Sequence, residues 1–195
     1  LLYKAIEGAT VFCKLRGNPY VELVHWLHQI LSNNDSDLHR ITRHFELDAS
    51  KLAADLTRAL DRLPRGATSI SDLSEHIEMS VERGWVYGTL MYGEAQVRSG
   101  YLIVGIVKTM GLRNILYGIS KEFEKIGIDA VAERLADIVK GSPEEALAAS
   151  DGIGLGGAPG EASGAMAPAQ MGKQEALKKF AVDLTEKARK GEIDP

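Results

Sequence analysis

The chain has 195 residues, of which 45% are hydrophobic and 26% charged, as in an ordinary soluble globular protein. Its net charge of -4 argues against nucleic acid as the main partner. The single cysteine, Cys13, excludes an internal disulfide framework and is typical of a reducing compartment. The longest apolar runs, such as residues 101–107, are far shorter than the ~18 residues that would indicate a membrane span.

Apolar residues at helical spacing predict a series of helices between residues 4 and 140, and no polar–apolar alternation indicates a strand. Gly17–Pro19 ends the first helix and Pro64–Gly66 ends the fourth, for which Asp48 is the expected N-cap. The predicted helices are residues 4–14, 21–31, 38–45, 48–63, 74–92, 97–109, 114–125 and 129–140.

This series of helices contains an internal repeat. Ile6–Phe12 is echoed by Val81–Tyr87 at an offset of 75 residues, and Val21–Leu31 by Val97–Val107 at an offset of 76. A repeated unit of this length is about twice what a solenoid repeat needs, so two copies predict one closed domain and not an array. We therefore expect an all-α, double four-helix repeat with pseudo-twofold symmetry, and a functional surface that both copies build.

The composition changes near residue 142. Residues 148–172 are Gly, Ala, Ser, Pro and Met with almost no large apolar side chains, so they cannot bury enough surface to offset their ordering entropy. The sequence predicts a folded domain over 1–141, a flexible linker over 142–172, and an amphipathic helix within 173–195 whose apolar stripe has no partner in the chain.

Three patterns suggest chemistry, and each has a simpler explanation. His25 and His28 lie one helical turn apart, which is half of a metal site, but no third ligand follows at a suitable spacing. Cys13 beside apolar neighbours is typical of a packed thiol and not of a nucleophile. Gly152–Gly157 superficially matches a dinucleotide-binding loop, yet it lacks the preceding strand and the following helix.

The helix predicted over 74–92 is apolar around most of its circumference. One side must pack in the bundle; the other is either core as well or an exposed surface of the kind that captures partners, where Trp and Tyr are favoured. Gly84 and Gly88, four apart, would let a partner helix approach closely, or would simply allow tight packing inside the bundle. The large apolar residues of this segment are Trp85, Val86, Tyr87, Leu90, Met91 and Tyr92.

The doubled unit over residues 1–141 resembles the N-terminal domain of the Clp/Hsp100 AAA+ unfoldases. His25 matches the His of that family's Glu-His-Leu-Leu element, and Tyr101 takes its place in the second copy. Leu177–Pro195 resembles the family's entry to the first ATPase module. Within the family, Val81–Leu90 followed by Gln96–Leu102 is similar to the ClpV (TssH) type of bacterial type VI secretion.

This resemblance implies a recognition domain in the bacterial cytoplasm. ClpV-type N-domains bind an N-terminal helix of the sheath protein (VipB, TssC) in a hydrophobic groove, and the ATPase rings then disassemble contracted sheath for reuse. The chain ends before any phosphate-binding loop, so we expect no enzyme activity and no cofactor, with ATP and magnesium confined to the absent AAA+ modules. We also expect a monomer, no membrane partner, and truncation of the family's opening residues, since the chain begins at Leu1 and not at Met.

The resemblance implies a groove, and the aromatic residues of the helix predicted over 74–92 make that helix the expected place for it. The expected peptide-binding residues are Glu82, Trp85, Val86, Thr89 and Leu90, with Glu82 available to pair with a basic residue of the peptide. Two other functions stay open. The same fold serves a general Clp disaggregase or protease-linked N-domain that recruits unfolded clients or adaptors, and a metal-dependent enzyme would use His25 and His28.

Overall fold

A computed structural model describes residues 1–146 of the chain, and the predicted all-α class is confirmed. The predicted helix within 173–195 and nearly all of the predicted linker lie outside the described residues. The helices are α1 (Leu2–Arg16), α2 (Leu23–Leu31), α3 (Asp37–His44), α4 (Ala49–Asp61), α5 (Glu75–Tyr92), α6 (Ser99–Lys108), α7 (Met110–Ile119), a 3-10 helix (Lys121–Lys125), α8 (Ile128–Glu133) and α9 (Leu135–Ile138).

Two helices form the centre of the core, one from each copy of the repeat. All residues of α6 from Ser99 to Val107 are buried, and so is most of α2. Helix α1 packs on α2 as α5 packs on α6, which is the arrangement expected of a duplicated unit. The helices predicted over 21–31 and 97–109 are therefore the two central helices of the bundle.

The helix starts follow from capping chemistry. The Asp48 side chain accepts a hydrogen bond from the Lys51 amide at the start of α4, as predicted. At α2 the Glu22 side chain and the His25 ring form a reciprocal capping box, with the Glu22 amide donating to His25 Nδ1 at 2.9 Å. These caps fix where the chain enters the two helices.

Three local features differ from the sequence-based expectation. Two-residue strands β1 (Tyr20–Val21) and β2 (Asp72–Leu73) pair in parallel, and strands this short carry no alternating pattern to detect. The helix predicted over 114–125 is α7 followed by the 3-10 helix. The helix predicted over 129–140 is divided into α8 and α9.

Packing also continues past residue 141, where the sequence places the end of the domain. Ser142 and Glu144 are both buried, and residues 143–146 are helical. Among the described residues, no single helix is long and apolar enough to cross a membrane. Helices α6 and α7 together have the length and apolar composition of a membrane span, but they are bent by 109° at their junction.

Candidate functional site

An apolar cleft lies between the first helices of the two repeats, α1 and α5. Its volume is about 280 Å³, and its walls are almost wholly apolar. Such a concave apolar surface is the usual form of a binding site for an apolar ligand or side chain. The residues that line it are Leu2, Tyr3, Ile6, Trp26, Leu73, Ile77, Val81 and Val97.

The cleft has a rigid floor and an open mouth. Trp26 is buried at the floor and its Nε1 donates to the Leu2 carbonyl oxygen at 3.2 Å, which ties α2 to the start of α1. Ile77 is also buried. At the mouth, by contrast, Tyr3 is 74% exposed and Val81 is 40% exposed. Large apolar side chains are thus held open to solvent above a packed base.

The repeat itself builds the two walls. Leu2 on α1 and Ile77 on α5 are equivalent at the 75-residue offset, and so are Ile6 and Val81. Both members of each pair line the same cavity, which is the arrangement expected where the pseudo-twofold axis of a duplicated unit passes through it. Both copies of the repeat therefore contribute residues to one concave surface, as the repeat predicts.

The predicted peptide-binding residues lie on the outer surface of α5. Glu82, Thr89 and Leu90 are exposed, Trp85 is 51% exposed, and Val86 is half-buried. None of these side chains lines the cleft, although Val81, four residues before Trp85, does. Side chains four apart share a helix face, so Trp85 extends the apolar stripe of Val81 away from the cleft.

Sequence reasoning missed the residues of the cleft itself. Ile6, Trp26 and Val97 are predicted only as parts of helices, and Tyr3 and Leu73 lie outside the predicted helices. The repeat alignment carried a usable signal, because it pairs Ile6 with Val81 across the two copies. Apolar residues repeated at equivalent positions of α1 and α5 indicate a shared surface or a shared core, and only the three-dimensional arrangement separates the two.

The two small residues of α5 serve packing inside the bundle and not the approach of a partner. Gly84 and Gly88 are both buried. A Cβ atom at Gly84 would lie 3.1 Å from the Leu102 Cα, and one at Gly88 would lie 3.0 Å from Cδ2 of Tyr101. The small face of α5 is therefore covered by α6, and the interpretation of these glycines as a partner-binding surface is wrong.

Comparison with known proteins shows which proteins have a similar sequence and fold. No family model matches the chain. The AAA+ ATPase ClpV1 of Pseudomonas aeruginosa is 66% identical over 195 residues, which is 100% of this chain and 22% of that protein. A solved structure from work on the coevolution of the ATPase ClpV, the TssB-TssC sheath and the accessory HsiE protein is 65% identical, with a TM-score of 0.72, covering 73% of this chain and 88% of that one.

The chain belongs to the ClpV group of Clp N-terminal domains. It spans about 22% of the length of the curated ClpV1 relative. A solved complex of a ClpV N-domain with a VipB peptide is 22% identical, with a TM-score of 0.62, and covers 72% of this chain and 86% of that one. At this level of identity the likeness concerns the fold.

In this ClpV-type domain the histidines of α2 are engaged in the core. His25 Nδ1 accepts from the Glu22 amide and Nε2 lies 3.0 Å from Asn18 Oδ1, so both ring nitrogens have partners. Burial, and next the positive charge of Arg16, lower the pKa of His25 to about 4. The ring is therefore neutral at pH 7, with its proton on Nε2, where it donates to Asn18.

His28 and Cys13 also have packing partners within the domain. The His28 ring stacks on Phe12 at a centroid distance of 4.9 Å, and burial lowers its pKa. The Cys13 thiol is buried, with the carbonyl oxygens of Asn18 and Tyr20 3.3 and 3.2 Å from Sγ as acceptors for its single S–H, and burial raises its pKa. Within residues 1–146 no group of three His, Cys, Asp or Glu side chains could hold a metal ion.

Proposed function

We propose that this chain is the substrate-recognition domain of a ClpV-type AAA+ unfoldase and binds the N-terminal helix of a VipB/TssC-type sheath protein. The observation that carries the proposal is the apolar cleft between α1 and α5, with Tyr3 and Val81 exposed at its mouth. In the whole protein, this contact would deliver contracted sheath to the ATPase rings for disassembly and recycling.

A helix is the ligand that such a cleft fits. An amphipathic helix projects apolar residues at positions i, i+3 or i+4 and i+7, which can enter an apolar groove while its polar face stays in water. The cleft offers apolar walls on both sides and no charged lining residue. That a related ClpV N-domain of the same fold binds a VipB peptide supports the choice of ligand.

The exposed surface of α5 extends the contact beyond the cleft. We propose that Trp85 is an anchor, because a large aromatic ring that is half exposed in the free protein has much apolar area to lose on binding. Val86, Thr89 and Leu90 would border it. Glu82 is exposed beside these residues and would pair with a basic residue at the edge of the bound helix.

The chain would act by binding alone. We propose that ATP and magnesium are used by the AAA+ modules of the whole protein, that those modules form its hexamer, and that the 195-residue chain is a monomer in the bacterial cytoplasm. On this view the recognition domain supplies selectivity, and the energy for unfolding comes from elsewhere in the molecule.

Calorimetric titration of the 195-residue chain with a VipB/TssC N-terminal helix peptide tests the proposal. We expect saturable binding in the micromolar range, with chemical-shift changes confined to α1, α5 and their neighbours. A peptide of the same composition in scrambled order, which destroys the apolar stripe, is the matched control. Absence of both heat and chemical-shift change would refute the proposal, and equal binding of unrelated unfolded proteins would favour a general Clp client-recruiting domain instead.

A further inference from the structure

We infer that the α1–α5 cleft could accept a helix in either of two directions related by the pseudo-twofold axis, and that Tyr3 and Glu78 select one of them. In the selected direction, a basic residue of the bound helix lies at Glu78 and an apolar residue lies at Tyr3. This inference rests on the proposed function, since it concerns the direction of a helix bound at the same site.

The apolar walls alone do not determine direction. Leu2 and Ile77 are equivalent in the two repeats, as are Ile6 and Val81, and all four line the cleft. A helix turned by 180° about the local axis presents the same apolar face to these pairs, with its own direction reversed. Contacts with the two walls are therefore similar in both directions.

One lining position differs in charge from its equivalent in the other repeat. Tyr3 on α1 lines the mouth of the cleft, whereas Glu78, its equivalent at the same 75-residue offset, is an exposed carboxylate on α5. Glu7 and Glu82, which directly follow the lining residues Ile6 and Val81, are exposed and charged alike on both helices, so they cannot distinguish the directions.

The floor residues of the cleft differ between the repeats but carry no charge. Trp26 and Val97 line the cleft, while their equivalents at the 76-residue offset, Leu102 and Val21, are sealed in the core. These side chains set how deeply a helix can enter. Among the lining residues and their equivalents, the charge difference therefore lies at Tyr3 and Glu78; Lys4, whose equivalent is Met79, lines a separate cavity with Ala5 and Gln29.

The expected preference is modest and depends on salt. Exposed ion pairs contribute up to roughly fivefold in affinity, and a like-charge contact costs a similar factor. A basic residue at Glu78 rather than at Tyr3 should thus bias the two directions by about fivefold at low ionic strength. The bias should fall as added salt screens the pair.

Paramagnetic NMR on the isotope-labelled 195-residue chain measures the direction of the bound helix. The probe is a VipB/TssC N-terminal helix peptide with its only lysine at one end of the apolar face and a nitroxide label beside that lysine. In the unmodified chain, the label should broaden amide signals around Glu78. In the exchanged variant, Tyr3→Glu with Glu78→Tyr, it should broaden signals around Tyr3 instead.

A second exchange away from the cleft is the matched control. Leu15 and Glu133 are exposed on α1 and α8 and do not line the cleft. Leu15→Glu with Glu133→Leu should leave the broadening pattern and the affinity unchanged. The single change Glu78→Lys, combined with a peptide whose lysine is replaced by glutamate, should recover most of the affinity that Glu78→Lys alone loses.

The possible outcomes separate the inference on helix direction from the proposed function. Reversal of the pattern in the exchanged variant, or recovery with the charge-reversed peptide, supports the inference. An unchanged pattern, or loss of binding by a variant that circular dichroism shows to be folded, overturns it while the proposed function stands. If the exchanged variant does not fold, failure of the charge-reversed peptide to recover affinity overturns it. No binding by the unmodified chain removes the proposed function together with the inference.

Discussion

The two tryptophans of this ClpV-type domain lie in opposite environments, although they belong to the same region of the molecule. Trp26 is 2% exposed and bonded to the Leu2 carbonyl oxygen, whereas Trp85 is 51% exposed on α5. Residue type alone gives no means to distinguish them. Their roles, one structural and one available for contact, follow from which helix face each occupies.

Truncating each tryptophan should therefore have opposite effects. We expect Trp85→Ala to weaken peptide binding by about 1–2 kcal/mol and to change the free energy of unfolding little. We expect Trp26→Ala to destabilise the domain by about 3–5 kcal/mol, because it leaves a cavity and an unpaired carbonyl. Calorimetry measures the peptide affinity, and urea denaturation measures the free energy of unfolding.

Met110→Ala, which shortens an exposed side chain of α7, is the control for both measurements. A Trp85→Ala variant that binds the peptide like the unmodified chain would contradict the anchor role.

Acid should destabilise the domain through His25. Its pKa is about 4 in the folded state against an ordinary 6.5, because burial and Arg16 disfavour the charged ring. A depressed pKa contributes stability that is complete above pH 6.5 and is lost as the pH falls towards 4. From pH 7.5 to pH 5 this group should cost about 2 kcal/mol.

Urea denaturation of the unmodified chain and of His25→Gln at both pH values isolates this contribution. Glutamine does not titrate, so we expect the variant to lose less stability on acidification. Because the pKa of His28 is also lowered, His28→Gln serves as the comparison and should remove less of the pH dependence. Equal pH dependence in the unmodified chain and the His25→Gln variant would show that His25 is not the titrating group.

At the scale of elements, the close crossing of α5 and α6 fixes the position of α5, which forms one wall of the cleft. A Cβ atom on Gly105 would lie 2.6 Å from the Gly84 nitrogen and 2.7 Å from the Arg83 carbonyl carbon. These are backbone atoms that cannot move aside without shifting the whole helix. The absence of a side chain at Gly105 thus sets how closely α5 approaches the core, and with it the position of one wall of the cleft.

Gly105→Ala should accordingly force the two helices apart. We expect a loss of about 3 kcal/mol or more, at the upper end of the range for overpacking, because the clash is with backbone. Gly111 on α7 has no neighbour within 4 Å of a built Cβ, so Gly111→Ala should be neutral or stabilising by up to about 1 kcal/mol. Thermal unfolding of both variants checks the pair, and similar melting temperatures would contradict this account of the crossing.

The existence and type of the helices could be predicted from the sequence, and their interruptions could not. Helix α7 ends at Ile119 because Ser120 adopts an extended conformation, and its side chain caps the 3-10 helix through the Glu122 amide. The Ser120 hydroxyl also donates to Asp55 on α4. This break depends on a contact made across 65 residues, which periodicity does not record.

One side of the candidate site, on α5, could be predicted from the sequence, and the other side could not. The apolar, aromatic character of residues 74–92 marked α5 as more than a core helix, and Trp85 is exposed as that interpretation requires. The contribution of α1 and of the Trp26 floor was not predictable, since it depends on how the two repeats close on each other. The individual peptide-binding residues on α5 stay a prediction until a ligand is titrated.

At the scale of the whole molecule, a buried charged cluster joins the repeats. Arg98 forms a bidentate pair with Asp37, with Nε and Nη2 each 2.8 Å from a carboxylate oxygen, and both side chains are buried. The Glu144 carboxylate accepts from the amides of Asp37 and Ser99, both at 2.8 Å. Residues from α3, from the start of α6 and from beyond α9 therefore depend on one another.

Removing one member of the cluster should be costly. We expect Arg98→Met to destabilise the domain by about 3–5 kcal/mol, because it leaves the Asp37 carboxylate buried without its cation. Arg65, which pairs with Asp61 at the surface, provides the control, and Arg65→Met should cost less than about 1 kcal/mol. Chemical denaturation gives both values; equal costs would mean that the buried pair adds nothing beyond an exposed one.

The position of Glu144 also has a mechanical consequence. Its carboxylate holds the first turns of α3 and α6 at once, just before the polypeptide leaves the described residues. Tension that enters the chain from its carboxyl side therefore reaches both halves of the duplicated unit through this one carboxylate. Arg40 on α3 adds hydrogen bonds to the carbonyl oxygens of Lys140 and Gly141, so a domain that is pulled through its tail would pass the load to the bundle at the base of the tail and not at the surface that holds cargo.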